Sequence, residues 1–79
     1  MEHTDKLLIR KLSNRIKALI SNRDYNHLAM ALYIIASMYS NHQKILELLV
    51  DKTKKIVDPR VVEQRAILIE KLRKLSQGA

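Results

Sequence analysis

Lys6, Arg10 and Lys17 recur at spacings of four and seven residues, with Lys11 and Arg15 between them, in a chain of net charge +7. On a helix this spacing puts the first three on one face and the other two on its shoulder. Cations arranged in such a ridge meet phosphates electrostatically and follow a nucleic-acid backbone without reading its bases. The same charges would equally serve as a solvated face that keeps the chain soluble. The sequence carries no helix-turn-helix glycine turn, zinc-finger spacing or aromatic platform for RNA. Any DNA contact is therefore expected to be nonspecific or assisted by another protein.

Other residue types capable of chemistry are scattered. His3, His27 and His42 make no metal-ligand arrangement with one another or with a carboxylate on a shared face, so they read as ordinary surface or boundary histidines. There is no cysteine, which removes disulfides and thiolate metal sites together. Arg65 falls inside an apolar arc formed by Val61, Leu68 and Leu72. It is expected to snorkel past the start of its helix or to pair with a carboxylate. No acid, base and nucleophile come together in the pattern, so the chain is expected to be noncatalytic, with no cofactor and no metal.

The elements that hold these residues follow from period and punctuation. With 79 residues, 47% apolar composition, one Gly and one Pro, one core of helices is expected over residues 1–79, rather than many short strands. Thr4 offers a cap for a first helix with Leu8, Leu12, Ile16 and Leu19 inward, ending near Ser21-Asn22. Asp24 caps a second helix whose stripe is Tyr25, Leu28, Ala29, Leu32, Ala36 and Tyr39, leaving Tyr33 off the stripe. Ser40 and Gln43 have the spacing of a capping box, opening a third helix that carries Ile45, Leu46, Leu49, Val50, Thr53, Ile56 and Val57 on one face. Asp58-Pro59 opens a fourth, with Val61, Leu68, Leu72 and Leu75 inward and Val62 and Ile69 beside them, closing at Gly78. The fold class is all-α, a compact bundle of four helices. The alternative is three, with the second and third continuous.

The second helix is unusual. From Tyr25 to Gln43, nineteen residues pass without a formal charge. Met30, Ile34 and Met38 form a row at i, i+4 and i+8 on the side where solvent-facing residues are normally polar. Either another helix covers this row, making the second helix the central one, or the row is an exposed apolar patch of the kind that marks a partner interface. Methionine suits the second use because its flexible thioether adapts to an opposing surface. Ile67 and Leu48 stand out as further apolar residues on polar faces. The longest apolar run, about a dozen residues, falls short of the roughly 20 that span a bilayer. The N-terminal MEHTDKLLIRK is mixed in charge, so a soluble cytoplasmic protein is expected.

Small size, basic charge, helicity and lack of cysteine together resemble the small basic accessory subunit of the crenarchaeal replicative B-family DNA polymerase holoenzyme. This resemblance extends over the chain in general character and rests on no single motif. It implies an archaeal, noncatalytic helical subunit that binds the polymerase catalytic subunit, stabilises it and supports its activity on DNA. The apolar row Met30, Ile34 and Met38 would be the docking face, and the basic ridge would lie toward DNA. The alternative is a free-standing small DNA-binding or regulatory protein, a homodimer joined through the same row.

Overall fold

Four helices connected by short turns make up the computed structural model, which describes the backbone of residues 2–78 and the side chains of residues 5–78. They are α1 (Glu2–Ser21), α2 (Tyr25–Met38), α3 (Gln43–Thr53) and α4 (Pro59–Gly78), and no strand occurs among the described residues. The break between α2 and α3 is real, which removes the three-helix alternative. α1 and α4 each pack against both α2 and α3. The molecule measures 34 × 27 × 18 Å, and the shortest dimension is about two helix diameters.

The core lies where the four inward faces meet. Ile16 and Leu19 of α1, Leu28, Leu32, Ile35 and Ala36 of α2, Ile45, Leu46 and Leu49 of α3, and Val61 and Leu68 of α4 are buried. Leu8, Leu12, Tyr25, Ala29, Tyr39, Leu72 and Leu75 pack around them, half-buried. Val62 and Ile69, expected beside the α4 stripe, are exposed instead. Each sits about 100° or less round the helix from Val61, on the far flank of a stripe centred on Val61, Leu68 and Leu72. Ile67 is exposed as expected, whereas Leu48 is half-buried.

α1 is already helical at Glu2, ahead of the expected Thr4 cap, and the side chains of His3 and Thr4 lie outside the described residues. Its end is a left-handed turn. The Asp24 N–H reaches back to the Leu19 carbonyl and the Arg23 N–H to that of Ile20, both at 3.0 Å, while Arg23 takes φ 54°. That pairing usually carries glycine, because a Cβ in left-handed backbone costs about 1–2 kcal/mol. Asp24 then caps α2 as expected, accepting the His27 N–H at 3.2 Å.

Three further boundaries differ from the sequence reading. α3 is capped by His42, whose Nδ1 accepts the Ile45 N–H at 3.4 Å. Ser40 is not the cap, and Gln43 donates forward to Glu47 at 3.1 Å instead of reaching back. α3 also stops at Thr53, before Ile56 and Val57. Thr53 is fully buried, and its hydroxyl donates to the Leu49 carbonyl at 2.7 Å. Beyond it the chain tightens, with the Ile56 N–H on the Thr53 carbonyl at 3.0 Å, and Val57 ends up 86% exposed. Finally, α4 continues through Gly78, which does not adopt a positive φ, so no left-handed glycine cap forms there.

Arg65 accounts for the early stop. Its Nη1 donates to the carbonyls of Thr53 and Ile56, the latter at 2.9 Å. It neither snorkels outward nor pairs with a carboxylate. Its charge instead sits at the negative end of the α3 dipole and satisfies carbonyls that helix termination leaves open. Arg65→Met should cost about 1–3 kcal/mol of unfolding free energy by removing both bonds and leaving the Ile56 carbonyl without its Arg65 donor. Urea unfolding monitored by circular dichroism reads this, and a variant as stable as the parent would contradict the role.

Candidate docking ridge and basic face

α2 has a covered side and an open one. Leu28, Leu32 and Ile35 face the core, whereas Met30, Ile34 and Met38 are 51%, 50% and 67% exposed and Tyr33 is 62% exposed. Of the two alternatives for the row, cover by another helix of the bundle therefore fails, and the row is exposed. α2 leans on α1 and α4 at its flanks, and no element of the bundle crosses its outer face. At about 100° per residue Met30, Ile34 and Met38 drift only slowly round the helix, so they stand as one ridge.

A groove runs along each side of this ridge. Between α2 and α4 lies a hollow of about 510 Å³ with Ala29, Met30, Tyr33 and Ile34 on one wall and Arg60, Glu63 and Gln64 on the other. Between α1 and α2 lies one of about 270 Å³, where Arg15 faces His27, Met30, Ala31 and Ile34. Tyr33 is exposed, as its position off the core stripe had suggested, and lines the same groove as Met30 and Ile34. The grooves themselves depend on which helices become neighbours, and nothing in the α2 sequence reveals that.

Lys6, Arg10, Lys11, Arg15 and Lys17 are all exposed on α1. Lys6, Arg10 and Lys17 fall within an arc of about 40°, but Lys11 and Arg15 stand about 120° and 160° from its centre rather than on its shoulder, and Arg15 lines the groove against α2. Among the described residues none of the five forms an ion pair. Four carboxylates elsewhere are held locally: Asp24 by His27, Asp51 by Lys54 at 3.2 Å, Asp58 by Arg60 at 3.0 Å and Glu70 by Arg73.

Ser40, His42 and Asp5 share a third hollow, of about 800 Å³, with Met38, Tyr39 and Lys44. The trio has the residue types of a hydrolytic triad but a different arrangement. His42 Nδ1 accepts the Ile45 N–H, Nε2 faces Asp5 Oδ1 at 3.9 Å, and the Tyr39 ring meets the imidazole edge-on at 6.3 Å. Nδ1 is taken by the α3 cap, and among the described residues no hydrogen bond joins Ser40 to the imidazole. Among the described residues no three His, Cys, Asp or Glu side chains gather as a metal site, and no helix is long and apolar enough to cross a membrane.

Sequence reasoning overlooked the histidines' structural work. His42 stands three residues before the N–H it caps. His27 stands three after Asp24, with its Nδ1 2.8 Å from Asp24 Oδ2. Both spacings are legible once histidine is admitted as a capping partner. No family model matches the chain, and no curated protein or solved structure matches it either.

The capping carboxylates give the fold a pH dependence. The His27 backbone N–H holds Asp24 below the ordinary carboxylate range, and the Arg60 guanidinium does the same for Asp58. A carboxylate depressed by folding contributes stability above its unfolded value, about 3.9, and loses it as pH falls through the lower folded value. The stability of the parent should therefore decline below about pH 4. The double variant Asp24→Asn, Asp58→Asn should keep its caps at neutral pH and flatten that decline. Urea unfolding across the acid range checks it, and an equally steep decline in the variant would contradict the assignment.

Proposed function

We propose that this protein is a noncatalytic accessory subunit that works beside DNA, docking on a larger protein through the α2 ridge and laying the α1 cations along phosphate. One observation supports the reading: the surface is divided between an exposed, charge-free ridge on α2 and five exposed cations on the adjoining α1 that form no ion pair among the described residues. Apolar side chains left half in water contribute less to stability than buried ones, and such patches mark interfaces. A cationic arc without aromatic stacking residues or a base-reading helix suits backbone contact that tolerates any sequence. The resemblance of the chain in size, charge and helicity names the catalytic subunit of a replicative B-family DNA polymerase as the partner to try first.

The second reading, a free-standing DNA-binding or regulatory homodimer, draws on the same division of the surface, because a charge-free ridge accepts a second copy as readily as another protein. The two separate on DNA alone. A free-standing binder shifts duplex DNA unaided, with steep salt dependence, whereas an accessory subunit holds DNA well only with its partner present. Reversing Lys6, Arg10 and Lys17 to Glu together should weaken association equally across unrelated duplexes. It should also lower the salt slope by about 3, near one unit for each phosphate that is no longer neutralised. Fluorescence anisotropy over a salt series, with and without the polymerase subunit, reads both quantities. An unchanged slope and affinity in both settings would reduce the arc to solubilising charge.

A further inference from the structure

We infer that the phosphate-binding surface is shared by α1 and α3 and takes a duplex, with one row of cations along each strand. This rests on reading the α1 cations as a DNA contact, and it names the rest of that contact and the nucleic acid it fits.

Helix order and handedness place the second row. Asp5, near the start of α1, faces His42 at the cap of α3 across 3.9 Å, and the two helices pack together, so they run side by side in one direction. Arg15 marks the flank of α1 that meets α2. Clockwise from it, seen from the helix start at about 100° per residue, come the buried Ile16 and then Ile9, Ser13 and Ile20. These last three are half-buried and form the flank toward α3, and Lys6, Arg10 and Lys17 stand just outside it. A right-handed helix running the same way must meet α1 on the flank anticlockwise of its own core stripe. On α3 that flank carries Leu48 and Lys52, both half-buried, with Lys44 and Lys55 exposed beside them.

Two parallel rows result: Lys6, Arg10 and Lys17 on α1, and Lys44, Lys52 and Lys55 on α3. Each row covers about 16 Å at 1.5 Å per residue. Among the described residues none of the six forms an ion pair. Asp51 and Glu47 edge the α3 row on the side away from α1, where Lys54 holds Asp51 at 3.2 Å and Gln43 donates to Glu47 at 3.1 Å. Lys11 and Arg15 lie on the other side of α1 and fall outside the face.

This arrangement selects a duplex. Packed helix axes stand about 8–10 Å apart, between the widths of about 6 and 12 Å of the minor and major grooves. Flexible lysine and arginine stems absorb the difference, so one row can follow each strand across a groove. Over about 16 Å a duplex presents on the order of ten phosphates. A single strand offers one line of phosphates, and surfaces that hold it add aromatic side chains on which bases stack. Here all three tyrosines lie on α2 or at its C-cap, away from the face. A membrane surface calls for exposed apolar side chains beside the cations. Leu7, the exposed apolar residue within the span of the α1 row, stands about 80° round the helix from it.

Fluorescence anisotropy of the full chain reads the contact over a salt series, with a duplex of about 20 base pairs and a dT strand of the same length. The parent should prefer the duplex, with a salt slope of about −5 for six contacts. Lys44→Glu, Lys52→Glu and Lys55→Glu together should lower that slope by about 3, as should the α1 triple variant. Should half-buried Lys52 not tolerate the change, Lys44→Glu with Lys55→Glu should lower it by about 2. Lys11→Glu, Arg15→Glu and Lys74→Glu remove the same charge away from the face and should lower it by less than about 1. An α3 triple that leaves the slope intact would overturn the inference while the α1 contact, and with it the DNA reading, still stands. Equal losses from the control triple would overturn it in favour of diffuse attraction. Tighter binding to dT, or to vesicles of phosphatidylcholine and phosphatidylserine in equal parts, would overturn the choice of a duplex. A parent that binds no duplex even at about 0.02 M salt would take the DNA reading down with the inference.

Discussion

Burial of Leu28, Leu32 and Ile35 between α1 and α4 is the contact on which the remaining architecture depends. A chain of 79 residues with no cysteine has no covalent staple, so its stability comes from aliphatic burial against chain entropy. Among the described residues α2 supplies four of the eleven buried apolar residues, and α1 and α4 pack against it as well as against α3. Once that stripe is fixed at helical period, the opposite side of α2 must face outward. The exposed Met30–Ile34–Met38 ridge is thus a consequence of where the core lies, and its lack of charge is the part that folding does not require.

The turns are managed with little glycine or proline. Arg23 accepts left-handed backbone between α1 and α2, where the carbonyls of Leu19 and Ile20 are satisfied by the chain as it reverses. Arg65 reaches from α4 to the end of α3 and turns a cation within an apolar arc into a cap. Thr53 folds its hydroxyl back on its own helix and so fills a buried position without an unsatisfied polar atom. These contacts orient α4 so that Arg60, Glu63 and Gln64 form the far wall of the groove beside the ridge. The groove is a product of the α3–α4 junction as much as of α2.

The helices were legible because each inward stripe repeats at three and four residues and because Asp24 and Asp58-Pro59 are strong local signals. Ser40 misled because a capping box is defined by spacing alone, whereas the chain put His42 at the cap and turned Gln43 toward Glu47. The early end of α3 was hidden for a different reason. Ile56 and Val57 continue the apolar period, and the residue that ends the helix, Arg65, acts from the next element. At the candidate site the ridge was legible as a row, but its exposure was not. Whether a row is core or surface depends on the order in which helices become neighbours, which local pattern does not encode.

Ile34 and Ile35 are neighbours in sequence and belong to opposite sides of α2, so they test the two-sided helix directly. The measurement is the unfolding free energy of Ile34→Asp and of Ile35→Asp, each by urea titration at a concentration low enough to keep the chain monomeric. Ile34→Asp should stay within about 0.5 kcal/mol of the parent, as exposed substitutions do. Ile35→Asp, which drives a carboxylate into the core, should lose several kcal/mol or fail to fold. Comparable losses at the two positions would mean that the ridge is core, and would contradict the account.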